Sequence, residues 1–252
     1  MPLTEEDLKV RVAQLEAMVE EKSALLEHAN NELQTLAYSV SHDLRSPLRG
    51  IDGWCQALIE DYEATLDDTA KTYLSRVQSE AHRMNELIEA LLKLSRISRK
   101  EMNLEEVNLS ELAQICINKL QEQYPERNVQ VNIEPEIKVI GDKYQLEIAL
   151  ACLIDNAWKF SIHEEVARID FGTDIINGSR VYFVRDNGVG FNKSYARNLF
   201  GVFQRMHRPA DFPGIGIGLA LTQRIILRHG GTIWVETSPD EGATFYWNIR
   251  SN

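Results

Sequence analysis

The 252-residue chain holds only three cysteines, Cys55, Cys116 and Cys152, far apart and in no CxxC or Cys/His spacing. An odd, dispersed set excludes a disulfide framework and a structural zinc site, and fits buried thiols in a reducing compartment. No apolar run approaches the roughly 18 residues of a membrane span, and no secretory signal opens the chain. Positive charge is also short: 27 Lys and Arg stand against 38 Asp and Glu, a net charge of −11. That deficit argues against nucleic acid or an anionic membrane as the main partner. The expectation is a cytoplasmic chain, with no membrane segment in this fragment. Its abrupt opening in a helical pattern reads as a piece of a longer protein.

What is present is enough for one or two globular cores: 44% of residues are hydrophobic and 26% charged. Residues 5–44 carry a heptad through Leu8, Val12, Leu15, Val19, Leu26, Ala29, Leu33, Leu36 and Val40, with Lys22 as one polar interruption. A coiled coil needs a partner, and a parallel homodimer is the expected one. A second amphipathic stretch, 67–99, follows the polar turn "EDYEATLDD". Two long helices joined this way make a hairpin, and two hairpins a four-helix bundle. Beyond about residue 105 the pattern changes to short alternating strands at 129–134, 167–175, 180–188, 231–237 and 243–249. Helical segments near 110–123, 144–160 and 218–229 interleave with them, the first capped by Asn108 or Ser110. The fold class expected is α plus α/β: a coiled coil and helical hairpin forming a dimeric four-helix bundle, then an α/β sandwich. The expected boundaries are 1–35, 36–100, a linker at 101–105, and 106–252.

Within the first helix, "SVSHDLRSPL" (39–48) places a histidine on the face opposite the seam, about 200° from Leu36, Val40 and Leu44. Asp43 can accept the Nδ1 proton of His42 and leave Nε2 as a lone-pair nucleophile. Pro47 removes a helical hydrogen bond just below this turn, which can bend there. In the second half, "CLIDNAWKFS" (152–161) sets an amide at Asn156 one helical turn before a cation at Lys159. "RDNGVGFN" (185–192) ends a strand with Asp186, Gly188 and Gly190, and "GIGIGLALTQRIILRHGG" (214–231) leads three alternating glycines into a helix. Free N–H groups at such a helix start suit anionic phosphates.

These stretches, in this order, resemble the H, N, G1 and G2 boxes of sensor histidine kinases of two-component systems, of the type linked to phytochrome or PAS modules, over about residues 36–252. The resemblance implies a dimerisation and histidine phosphotransfer domain over 36–100 and a Bergerat-type ATP-binding domain over 106–252. It makes His42 the phospho-acceptor and Asp43 its general base. Asn156 would meet Mg²⁺. Lys159, Phe160, Asp186, Gly188, Gly190, Gly214, Gly216, Gly218 and Leu219 would contact ATP, Asp186 through the adenine amino group. "LFGVFQRMHRPADFP" (199–213) resembles the F-box and lid, with Phe200 and Phe203 packing the lid and Arg205 reaching the γ-phosphate. The implied function is ATP-dependent autophosphorylation of His42, then transfer to an aspartate of a response regulator receiver domain. An upstream sensor domain, absent here, would supply the signal; a non-catalytic dimeric nucleotide-binding scaffold is the alternative. The sequence departs from the family pattern at Cys152, Ile215 and Ser46, and Ser46 puts regulator phosphatase activity in doubt.

Overall fold

The computed structural model describes residues 5–99, 101–204, 206, 212 and 214–250, and at 5, 7–9, 23, 26–27, 29–31, 33–38, 98–99 and 195–197 the backbone alone. It divides into two compact units, 1–95 and 96–252.

The first unit is a helical hairpin. Helix α1 (Glu5–Tyr62) runs through Pro47 without ending, and helix α2 (Asp68–Arg99) follows. Pro47 has no N–H to give, so the Asp43 carbonyl four residues back loses its intrahelical partner. The turn closes through the Thr65 and Leu66 amides, both donating to the Tyr62 carbonyl. Asp67 then caps α2, accepting the Ala70 N–H at 2.7 Å. Leu48 of α1 packs with Ala81, Ile88 and Leu92 of α2 in one buried cluster, and Arg45 pairs with Glu89 at 2.8 Å beside it. A second apolar stripe stays uncovered within the chain: Val40, Leu44, Ile51 and Leu58 on α1, Tyr73, Val77 and Met84 on α2. Of the upstream heptad, Val12, Leu15 and Val19 are exposed. The side chains of Leu8, Leu26, Ala29, Leu33 and Leu36 lie outside the described residues.

The second unit is a two-layer α/β sandwich. Strands β2 (Val129–Ile133), β4 (Ala167–Ile176), β5 (Ser179–Asp186), β6 (Ile233–Thr237) and β7 (Ala243–Trp247) form a sheet in the order β2-β4-β5-β7-β6. Only β2–β4 is parallel. Helices α3 (Leu109–Gln123), α4 (Lys143–Phe160) and α5 (Gly218–Arg228) supply the second layer. Leu150, Leu153 and Ile154 of α4 and Ile226 of α5 share a core with Phe171, Val184, Phe245 and Trp247 of the sheet. On the sheet's other face Tyr246 stacks on Trp234 at 5.6 Å and meets Phe183 at 6.1 Å, so aromatic area covers the outward pleat.

Two strands escape the periodicity reading, β1 (Leu104–Asn108) and β3 (Lys138–Asp142), which pair antiparallel as a separate ribbon. The expected linker at 101–105 is shortened accordingly, because Leu104 and Glu105 are already in register with Asp142 and Gly141. Composition could not reveal this: β1 is short and mostly exposed, with two adjacent glutamates, and its ladder partner lies thirty or more residues on. The alternative between two caps resolves to Asn108, whose side-chain oxygen accepts the Ser110 and Glu111 amides at 3.1 and 3.3 Å. Ser110 instead donates to the Glu134 carbonyl at 2.6 Å and accepts the Ile137 N–H. Helix α5 ends in a glycine-dependent cap: Gly230, at φ +69°, donates to the Leu227 carbonyl and Gly231 to that of Ile226. Replacing Asn108 by alanine is expected to cost about 1 kcal/mol, read as a shift in the urea transition that the tryptophans of this unit report.

Candidate functional site

Two groups of chemistry-bearing residues stand out, one in each unit. In the hairpin, His42 projects from α1 with its side chain 74% exposed, and its Nδ1 lies 3.2 Å from Asp43 Oδ1. With the proton on Nδ1 donated to that carboxylate, Nε2 carries the lone pair. The turn is held from beneath by buried Ser41 and Leu48, while Ser46 and Pro47 are exposed. His82, a second histidine on the hairpin, faces Asp52 at 3.5 Å across the two helices.

In the sandwich, the end of α4, the loop after β5 and the glycine segment before α5 come together. Asp142 caps α4 by accepting the Gln145 N–H at 2.9 Å. Farther along α4, Cys152 lies against the start of α5: a Cβ on Gly218 would stand 3.5 Å from its sulfur. Asn156, one turn on, is half-buried. At the last turn the Lys159 ammonium sits 4.2 Å above the Phe160 ring and 3.5 Å from where a Cβ on Gly214 would be. The Phe160 carbonyl accepts the Val189 N–H at 3.1 Å. Gly188 presses on the same carbonyl so closely that an added Cβ would fall 2.3 Å from its oxygen. Gly190 turns the loop at φ +53°, where an L side chain is disfavoured. Gly216, at φ +77°, accepts the Phe203 N–H at 2.9 Å. Ile217 gives α5 no side-chain cap, so the N-cap residue itself offers no oxygen to the N–H groups of the first turn. Leu219, just inside α5, is half-buried and packs on the main core.

Arg205 lies outside the described residues. Phe200 packs against the main core, whereas Phe203 is half-exposed in a left-handed conformation at φ +64°. From this segment Phe212 is buried and its ring lies 5.0 Å from that of Phe160 on α4, with His163 edge-on at 5.5 Å. Nothing local in the sequence marks that contact, and the same holds for Arg127, which reaches α4 from the loop before β2.

Asp186 ends β5 and is only 6% exposed. Its Oδ1 accepts the Gly188 N–H at 2.9 Å. Burial nevertheless dominates the backbone N–H groups of Gly188 and Ala243 and lifts its carboxyl to about 6. A raised carboxyl binds its proton more tightly folded than unfolded. Its contribution of about 3 kcal/mol is therefore full below the unfolded value near 4 and lost as pH rises through about 6. Denaturation between pH 4 and 7 should show this slope, and Asp186→Asn should flatten it. An unchanged slope would mean that other groups set it.

Comparison with known proteins assigns a domain family to each unit. Residues 32–100 match the model of the His Kinase A (phospho-acceptor) domain, and residues 141–252 that of the Histidine kinase-, DNA gyrase B-, and HSP90-like ATPase. Cyanobacterial phytochrome B of Nostoc sp. is 34% identical over 89% of this chain. The methanogenesis regulatory histidine kinase FilI of Methanothrix harundinacea is 32% identical over 92%. The chain spans 30% and 26% of their respective lengths. Among solved structures, full-length ShkA aligns over 86% of this chain and 46% of its own, with TM-score 0.58 and 21% identity. The histidine kinase AdeS of Acinetobacter baumannii aligns over 84% and 98%, with TM-score 0.56 and 22% identity, a likeness of fold. With a phospho-acceptor helix pair followed by an ATPase domain of this type, the chain carries the two domains of a sensor histidine kinase catalytic core.

Proposed function

We propose that this chain transfers the γ-phosphoryl group of Mg-ATP to Nε2 of His42 and then to an aspartate of a response regulator receiver domain. The observation that carries the reading is His42 itself: an exposed imidazole with Nδ1 beside Asp43, in a chain whose second unit offers an adenine acceptor and an uncapped helix start. In the first step the bond from the γ-phosphorus to the ADP oxygen breaks as the bond to Nε2 forms. The imidazole then sheds its Nδ1 proton to Asp43, leaving a neutral ring that carries the anionic phosphoryl group on Nε2. The protein's part is mainly positioning.

On this reading Asp186 accepts from the adenine amino group, and the closeness of Gly188 and Gly190 to their neighbours shapes the base's edge of the site. The amides at Gly214, Gly216, Gly218 and Leu219 meet the phosphates, with Lys159 beside them. Phe160 lines the base's side and Arg205 reaches the γ-phosphate. The residues also fit Mg²⁺: among the described residues no hydrogen bond engages the Asn156 carboxamide, and a neutral amide oxygen suits an ion held mostly by phosphates and water. Bound there, Mg²⁺ would neutralise charge on the phosphate oxygens. A second copy of the chain would cover the stripe of Val40, Leu44, Ile51, Leu58, Tyr73, Val77 and Met84, completing a four-helix bundle in the cytoplasm. A sensor domain upstream would deliver the signal through the coiled coil. On the same reading Ser46, an exposed residue one turn after His42, would face the regulator.

Incubation with γ-labelled ATP tests the acceptor. His42→Ala should abolish acid-labile, alkali-stable label while ADP still binds; label that survives would move the acceptor, with His82 the first suspect. Asn156→Asp should lower the labelling rate about 10–100-fold by placing a negative charge against the phosphates. Leu44→Asp together with Ile51→Asp should halve the sedimenting mass. A monomeric parent protein would refute the dimer.

A further inference from the structure

The last four carbonyls of a helix have no partner within it, and in α4 each finds one elsewhere. Ala157 accepts from the Ser161 hydroxyl at 2.6 Å, and Lys159 from the Ile162 N–H at 3.3 Å. Phe160 accepts from Val189 across to the loop after β5. Trp158 accepts from Nη1 of Arg127, thirty-one residues earlier, whose Nη2 donates to the fully buried Ser161 hydroxyl at 3.1 Å. The same guanidinium lies 4.9 Å over the Trp158 ring, which is itself buried and tilted against Tyr124 at 6.4 Å. One side chain thus holds the end of α4 at three points: a carbonyl, a hydroxyl and a ring face.

We infer that Arg127 is a positioning residue for the nucleotide site, fixing the rotation of the last turn of α4 so that Lys159 and Phe160 face the glycine segment and the Asp186 loop. The inference rests on the nucleotide site proposed above. Its geometry follows from adjacency. Lys159 and Phe160 are the residues between the two that Arg127 grips, Trp158 and Ser161. A turn of the backbone there carries the Phe160 carbonyl away from Val189, and with it the close contact at Gly188. A cation near the C-terminal end of a helix also meets the negative end of its dipole. Charge alone does not make the grip, because two parallel N–H donors and a flat face that stacks belong to arginine and not to lysine.

The test uses the full chain with Mg-ADP as probe, measuring affinity by titration calorimetry and ATP dependence by labelling rate, at a temperature where near-UV circular dichroism shows every variant folded. Arg127→Ala is expected to weaken ADP about tenfold and raise KM for ATP by a similar factor, with kcat changed less than about twofold. Arg127→Lys keeps the charge but not the fork, and should recover only a small part of the loss. Folded variants that bind ADP like the parent would overturn the inference and reduce Arg127 to a stabilising contact. So would full recovery by lysine, which would make the effect one of charge. If Arg127→Ala does not fold, Arg127→Lys alone decides by the same comparison. A parent protein that fails to bind Mg-ADP would refute the nucleotide site and the inference with it.

Discussion

Around Asp186 the backbone runs so close to itself that no side chain fits at three neighbouring positions. A Cβ at Gly188 would fall 2.3 Å from the Phe160 carbonyl oxygen, one at Gly190 1.9 Å from that of Ser238, and one at Gly242 2.1 Å from that of Asp186 itself. This packing sets the end of α4 against the loop after β5. It also surrounds the carboxyl with peptide groups in place of water, which is why burial outweighs two backbone N–H groups in raising it. The position of Phe160, the exclusion of water from Asp186 and the proton affinity of that acid are therefore one constraint seen three ways. Loosening any of the three glycines alters all of them together.

The other end of α4 is tied by a buried polar group of different chemistry. His229, closing α5, has Nδ1 2.8 Å from the Ile225 carbonyl, and its Nε2 accepts the Asp142 N–H at 3.0 Å. Those partners fix the tautomer: hydrogen on Nδ1, lone pair on Nε2. Asp142 in turn accepts from the Asn103 N–H and caps α4. The start of α4 is thereby joined to the end of α5. The glycine segment before α5 and the Asp186 loop thus sit on elements whose spacing is set by hydrogen bonds as well as by apolar packing.

How much of this was legible depended on whether the cause lay nearby in sequence. The hairpin helices and the five strands of the main sheet were visible because each carries its own period. His42–Asp43, Asn156–Lys159 and the alternating glycines were visible because their chemistry is contiguous. The ribbon strands "LEEVN" and "KVIGD" carry too few apolar residues to declare themselves, and only pairing with each other makes them strands. Arg127, Phe212 and His229 act on residues 31 to 87 positions away or across a turn of tertiary structure, so no local pattern could announce them. Phe203, which the resemblance alone gives to the lid, is half-exposed on a left-handed backbone that no local pattern announces.

Helix α1 loses one rung of its hydrogen-bond ladder where Pro47 follows Asp43, and immediately below it Leu48 is fastened into the cluster with Ala81, Ile88 and Leu92. A beam yields where a tie is missing and resists where it is clamped. Here the soft section and the clamp are a single residue apart, and the imidazole rides on the soft side. Twist or bend imposed from the long upstream arm is therefore spent largely on the turn that carries His42, and little of it passes into the hairpin beneath. The histidine has the compliance of a joint, while the helix pair that supports it keeps the stiffness of a frame.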